Sequence, residues 1–193
     1  AAVIHISTDY VFGGSSETPY KPDDKVAPVN VYGESKLAGE IAVRDENPRH
    51  AIVRSSWIYS HEGKNFVRTM LRLANDQDSI RVVDDQRGSP TSAGDLADAL
   101  IAVADTMFAK PGLAGTFHFS NTGVTTWHEF ATAIFEMRGG STPKVIPIHS
   151  SEYPTPARRP AWSVLDTGSF EKTFGVTPRP WREALAETMR RLA

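Results

Sequence analysis

The sequence predicts an α/β protein built on a parallel sheet. Three observations carry that prediction. The chain opens on AAVIHIS (Ala1 to Ser7), an apolar run with β-branched residues and no polar lead-in, which suits a strand buried on both faces. From Tyr32 to about Asp45, Leu37, Ala38, Ile41 and Ala42 then recur at helical spacing, and Pro48 lies just past the end as a stop signal. AIVRSSWIY (Ala51 to Tyr59) follows as a second strand, and strand, helix, strand is the unit from which parallel sheets are assembled.

The remaining elements follow in order. Gly13, Gly14, Ser15, Ser16, Pro19, Pro22 and Pro28 supply turn chemistry throughout, so a long, exposed and adaptable loop is expected there. Phe66, Met70 and Leu73 mark a helix, and Ile80 to Val83 a short strand, before a turn at Gly88, Ser89 and Pro90. Ser92 with Asp95 resembles a capping box that opens a helix from Ala93 to about Met107, with Leu96, Leu100, Val103 and Met107 on one face. Thr116 to Ser120 reads as a strand, and Thr126 with Glu129 is a second capping box, opening a helix that carries Phe130, Ile134 and Phe135. Val145 to Ile148 is a weaker strand because Pro147 sits inside it. A Pro- and Arg-rich stretch runs from Tyr153 to Pro160, and two short helices end the chain, the last amphipathic through Leu185, Met189 and Leu192.

Composition narrows the function. Across 193 residues, 21 Lys and Arg face 23 Asp and Glu for a formal charge of -2, so no basic excess exists to neutralise a nucleic-acid backbone. No apolar run approaches the ~20 residues of a membrane helix, and no signal-peptide layout opens the chain, so the expectation is a cytoplasmic protein without a membrane partner. The absence of cysteine excludes disulfides, thiolate nucleophiles and Cys-ligated zinc. The six His residues do not pair with carboxylates at metal-ligand spacing, so no metal is expected.

Two clusters bear chemistry. Ser7, Thr8, Asp9 and Tyr10 stand at the exit of the opening strand, where doubly wound sheets bind their ligands, although such a cluster also serves as an ordinary turn. Tyr32 and Lys36 are four residues apart, on one face of the first helix. A free phenol ionises near ~10, and an adjacent ammonium favours the phenolate, which suits the pair to proton transfer near neutral pH.

This arrangement, a hydroxyl cluster after one strand and Tyr-x-x-x-Lys opening the next helix, resembles the extended branch of the short-chain dehydrogenase/reductase superfamily. STDYVFGG (Ser7 to Gly14), PVNVYGESKLAGE (Pro28 to Glu40), RSSWIY (Arg54 to Tyr59), DDQRGSPTSAGDLA (Asp84 to Ala97), GTFHFSNTGVTTWHEFA (Gly115 to Ala131) and PARRPAWSVLDTGSFEKTFG (Pro156 to Gly175) are similar, in order, to the dTDP-4-dehydrorhamnose reductase family. The resemblance implies reduction of the carbon-4 ketone of a dTDP-4-keto-6-deoxy sugar by NADPH, with NADH as the alternative cofactor. It implies catalytic roles for Thr8, Tyr32 and Lys36, with Tyr32 and Lys36 also meeting the cofactor. Thr8, Asp9, Tyr10, Trp57 and Thr91 are the implied substrate residues; Arg158, with its neighbour Arg159, is a further substrate candidate because guanidinium forks suit the diphosphate, although such residues also serve as surface charge on a loop. Trp127, Trp181, His118 and His128 are assigned to structure.

Asp9 is followed by Tyr10 where the related 4,6-dehydratases carry Asp and then Glu, which disfavours a dehydratase. The alternatives are another nucleotide-sugar reductase or epimerase of the branch, or a non-catalytic regulatory subunit, which would have no need of Thr8, Tyr32 and Lys36 together. The implied partner is the dTDP-sugar, with a homodimer left open. The sequence departs from the family at Gly13 and at Pro22, after Lys21, where acidic residues are usual, and no G-x-x-G-x-x-G loop occurs to hold a cofactor pyrophosphate. The chain is therefore expected to be the C-terminal two-thirds of such a reductase and to bind NADPH poorly alone. Residues 1–60 would be the C-terminal half of a dinucleotide-binding domain, with 93–122 returning to it, and 61–193 a discontinuous substrate-binding domain.

Overall fold

The predicted parallel sheet is present, with the second strand between the first and a third. The computed structural model describes residues 1–192; Ala193, the end of the expected substrate-binding domain, lies outside them. Strands β1 (Val3–Thr8), β2 (His50–Ser55) and β7 (Gly115–His118) make a parallel sheet in the order β1-β2-β7. All six residues of β2 are buried, whereas β1 is buried only at its exit and Ile6 is 42% exposed. Among the described residues β2 pairs on both sides, with β1 and β7, while β1 pairs with β2.

Helix α1 (Val31–Glu46) crosses from β1 to β2 as the periodicity predicts, but it turns a different face to the sheet. Gly33 and Glu40 are buried while Ile41 is 46% exposed. The reason is steric and electrostatic. A Cβ at Gly33 would collide with the Tyr10 carbonyl, so glycine permits the close approach. Glu40 is drawn inward by Arg54 of β2.

The predicted strand from Ala51 to Tyr59 is two strands. Backbone pairing stops at Ser55, turns through Ser56 and Trp57, and resumes in β3 (Ile58–Tyr59), which pairs in parallel with β6 (Thr91–Ser92). Helix α2 (Phe66–Leu73) leads to β4 (Ser79–Val83), which pairs in parallel with β9 (Lys144–Ile148). Pro147 is tolerated in β9 because, among the described residues, that sheet has two strands and needs no donor on its outer side. The predicted turn at Gly88 begins with a short strand, β5 (Arg87–Gly88), antiparallel to β8 (Thr125–Thr126).

Helix α3 (Ala93–Ala109) packs Leu96, Ala99, Val103 and Met107 against β2 and β7, joined by Phe170 and Phe174 of α5 (Gly168–Phe174). Its predicted capping box is absent. Ser92 makes no side-chain cap, and Asp95 instead takes a two-pronged contact from Arg179 and a hydrogen bond from Asn121 Nδ2. An Arg fork is the stronger partner for a carboxylate than a backbone N–H. The second predicted box, Thr126 and Glu129 before α4 (Trp127–Arg138), is formed in full. Phe130, Ile134 and Phe135 of α4 share a core with α2, β4 and the final helix α6 (Trp181–Leu192), where Trp181 and Leu185 are buried.

The long loop after β1 is pinned. Tyr20 stacks flat on Phe12 with ring centroids 4.1 Å apart, and its hydroxyl accepts hydrogen bonds from the Gly14 and Ser16 backbones. An aromatic ring with a satisfied polar tip anchors a segment that composition alone reads as adaptable. Among the described residues no helix is long and apolar enough to cross a membrane.

Candidate active site at the exit of the first strand

The exit of β1 and the start of α1 form one corner. Thr8 caps a short 3-10 turn over Asp9–Val11 by accepting from the Tyr10 N–H at 3.2 Å, and it donates to Asp9 Oδ1 at 3.0 Å. Asn30 caps α1 by accepting from the Gly33 N–H at 2.8 Å, while its Nδ2 donates to the Arg158 carbonyl at 2.7 Å. One side chain therefore fixes both the start of the Tyr32 helix and the Pro- and Arg-rich loop. Tyr32 is 54% exposed and meets the Tyr10 ring edge-on at 5.8 Å. Lys36 Nζ reaches the Ile6 carbonyl of β1 at 2.5 Å.

Below this corner lies a buried ion pair. Arg54 Nε and Nη2 grip the two oxygens of Glu40 at 2.8 and 2.7 Å, and Ser7 Oγ donates to Glu40 Oε1 at 2.5 Å. Arg54 Nη1 donates to the Pro22 carbonyl, and its guanidinium lies over the Phe12 ring. His118 is buried beside it, and burial together with the Arg54 charge lowers its pKa to about 3. Its Nδ1 meets the Tyr20 carbonyl, which can only accept, so the neutral ring carries its hydrogen there and leaves Nε2 to accept from Arg54 at 3.4 Å. His118 is structural, as its sequence context suggests. Glu40 and Arg54 carry no role in the sequence reading, yet Glu40 stands four residues after Lys36 and eight after Tyr32, a spacing that repeats one helix face.

Asp9 is buried, and its Oδ2 has no hydrogen-bond partner. Burial raises its pKa to about 7, the hydroxyls of Ser163 and Thr8 offsetting only part of the effect. The unfolded carboxyl ionises near 3.8, so between 3.8 and about 7 the native state holds the extra proton and stability falls as pH rises through that window. The Asp9→Asn chain cannot ionise there. Its stability relative to the parent is expected to climb across the same window, by at most about 1.4 kcal/mol per pH unit, and then to level off. Urea denaturation at a series of pH values measures this, and a difference that does not vary with pH would reject it.

A cavity of about 1000 Å³ opens beside the corner. Gly13, Gly14, Arg158 and Arg159 line one part of it, and Met70 of α2, Val82 of β4 and Trp127 another. The Tyr10 pKa is raised chiefly by burial, an effect that the Arg159 charge partly offsets. The arrangement offers guanidinium groups for an anion and an apolar wall for a ring in the same space.

The structure thus brings Thr8, Asp9, Tyr10, Tyr32, Lys36 and Arg158 to one corner. Thr91 is placed differently, fully buried in β6 with its N–H donating to the Trp57 carbonyl at 3.2 Å. Trp57 is half-buried, outside any strand, and stacked on Trp127. Among the described residues no group of His, Asp or Glu is placed to hold a metal ion.

Residues 1–193 match the family model described as the RmlD substrate binding domain. A dTDP-4-dehydrorhamnose reductase of Sinorhizobium fredii is 46% identical over 187 residues, covering 94% of this chain and 63% of the relative. A crystal structure of a Clostridium acetobutylicum dTDP-4-dehydrorhamnose reductase superposes with a TM-score of 0.93 at 42% identity, covering 100% of this chain and 66% of that one. The Bacillus anthracis dTDP-4-dehydrorhamnose reductase in complex with NADP gives 0.91 at 38% identity, over 99% of this chain and 66% of its own. The chain spans somewhat less than two-thirds of the length of these relatives.

Proposed function

The chain belongs to the RmlD substrate binding domain family, and from that premise we propose that it supplies the proton-transfer groups and the sugar-nucleotide site of an NADPH-dependent dTDP-4-dehydrorhamnose reductase. One observation carries the reading: the helix that bears Tyr32 and Lys36 is held against the hydroxyl at the exit of β1 by the Gly33 contact and the Lys36 hydrogen bond. A ketone oxygen in that corner would take its proton from the Tyr32 phenol, and the Lys36 ammonium would stabilise the phenolate left behind. The Thr8 hydroxyl would turn its hydrogen from Asp9 to the same oxygen as charge develops on it. Arg158 and Arg159 would hold the diphosphate, with the nucleoside along the Met70 and Trp127 wall.

The fit to the cofactor is to its nicotinamide-ribose end. Lys36 spends one of its three N–H groups on Ile6, which leaves two for ribose hydroxyls beside the exposed Tyr32 ring. A nicotinamide cofactor held there would supply the hydride for the sugar ketone.

The test is loss of NADPH absorbance with dTDP-4-dehydro-6-deoxy-L-mannose. It is run on the chain alone and on a chimera in which the N-terminal third of the Sinorhizobium fredii relative precedes Ala1. Turnover to dTDP-L-rhamnose by the chimera, with little by the chain alone, is the expected result. A folded chimera that binds NADPH and leaves this ketone unreduced would overturn the reading.

A further inference from the structure

The Pro- and Arg-rich loop is fixed at both ends and tied once between them. At its start the Ser150 N–H and hydroxyl donate to Asp85 at 2.9 and 2.7 Å. At its end the Arg87 N–H donates to the Ala161 carbonyl at 2.8 Å, and the Ser163 N–H donates to the Arg87 carbonyl at 2.8 Å. Between Pro154 and Pro160, among the described residues, the main chain makes one hydrogen bond to a distant part of the chain, from Asn30 Nδ2 to the Arg158 carbonyl. That bond falls on Arg158, which with Arg159 lines the cavity. Both arginines are exposed, so packing does not hold their side chains and the main chain beneath them decides where they stand.

Asn30 is buried and uses both ends of its amide. Its Oδ1 accepts from the Gly33 N–H, and the Arg158 carbonyl can only accept, so one amide orientation satisfies both. Asn, Asp, Ser and Thr are the side chains favoured at a helix start, and each supplies the acceptor that the Gly33 N–H needs. Of these Asn alone adds a pair of N–H donors. The helix start therefore does not account for the choice of Asn, whereas the bond to Arg158, 128 residues away, does.

Guanidinium groups already in place hold an anion more tightly than groups on a loop that must be ordered when the anion arrives. We propose that Asn30 is a positioning residue for the anion end of the cavity, where its Nδ2 holds the Arg158 main chain so that Arg158 and Arg159 face a diphosphate. This rests on the sugar-nucleotide reading given above. Asn30 itself stands outside the cavity lining and acts through Arg158.

The test compares dTDP with thymidine, which lacks the diphosphate, as probes in titrations of the chain followed by nuclear magnetic resonance. Asn30→Ser keeps a cap acceptor and removes the Nδ2 donor. It should weaken dTDP binding about fivefold, the factor equivalent to one hydrogen bond, and leave thymidine binding unchanged. Asn30→Ala should show the same dTDP loss and also unfold at lower urea than Asn30→Ser, because it gives up the cap as well. Adding Asn30→Ser to Arg158→Ala should cost less dTDP affinity than adding it to the parent, since the residue it acts through is already gone. If Asn30→Ser does not fold, Asn30→Thr keeps the cap acceptor and takes its place. Equal losses for dTDP and thymidine, unchanged dTDP affinity, or fully additive losses in the double variant would overturn the positioning role alone. No binding of dTDP by the unsubstituted chain would overturn the sugar-nucleotide reading and this proposal with it.

Discussion

Replacing Tyr32 by Phe in the reductase chimera is expected to lower turnover by at least about 100-fold, the smallest contribution usual for a positioned proton donor. Affinity for the dTDP-sugar should stay within about twofold, since only one hydroxyl is removed and the ring is kept. The structural basis is that Tyr32, in α1's first turn, is 54% exposed. Its hydroxyl supports no buried contact whose loss would disturb the fold. Steady-state kinetics together with titration of dTDP-L-rhamnose separates the two quantities. Undiminished turnover would remove Tyr32 from the assigned role, and a parallel loss of affinity would point to a binding role instead.

The largest expected effect on stability lies below the corner. Arg54→Met should cost about 3–5 kcal/mol, because it leaves the fully buried Glu40 carboxylate with only the Ser7 hydroxyl and the more distant Arg44 guanidinium, 3.8 Å away, as partners. Ser7, Pro22 and His118 each lose a partner or gain an unpaired neighbour in the same step. Replacing both members, Arg54→Met with Glu40→Leu, should recover most of that loss, since the uncompensated charge is the main penalty. Urea denaturation of the three chains decides it. A single variant that loses less than about 1 kcal/mol would show the pair to be solvated and peripheral. The pair lies beneath both the β1 exit and the Lys36 turn of α1, so the double variant also asks whether a hydrophobic substitute preserves the register between Thr8 and Tyr32.

Much of the architecture is legible in the residues taken in order. The helices at Val31, Phe66, Ala93, Trp127 and Trp181 begin within a few residues of where apolar spacing or a capping pair places them. The Thr126 and Glu129 box forms because both partners are local, three residues apart, and nothing distant competes for them. Ser92 and Asp95 have the same spacing and do not form one, because Arg179, 84 residues away, claims the carboxylate. Local pattern cannot reveal such a competitor. Ile41 illustrates the same limit, since its helix phase is correct and only the choice of buried face differs.

The site divides along similar lines. By itself the sequence determined the α/β class, the helical pairing of Tyr32 with Lys36, and the hydroxyl cluster that follows the first strand, because each depends on neighbours within a few residues. Only the tertiary structure decided that Glu40 turns inward to Arg54, that Thr91 is buried and touches Trp57 through its backbone, and that Trp57 leaves the strand to lie on Trp127. Those outcomes depend on which distant group reaches a carboxylate, a carbonyl or an indole face first. Strong, directional partners brought together by the fold override the preference of a short segment, and 14 residues between Glu40 and Arg54 or 70 between Trp57 and Trp127 are beyond the reach of periodicity.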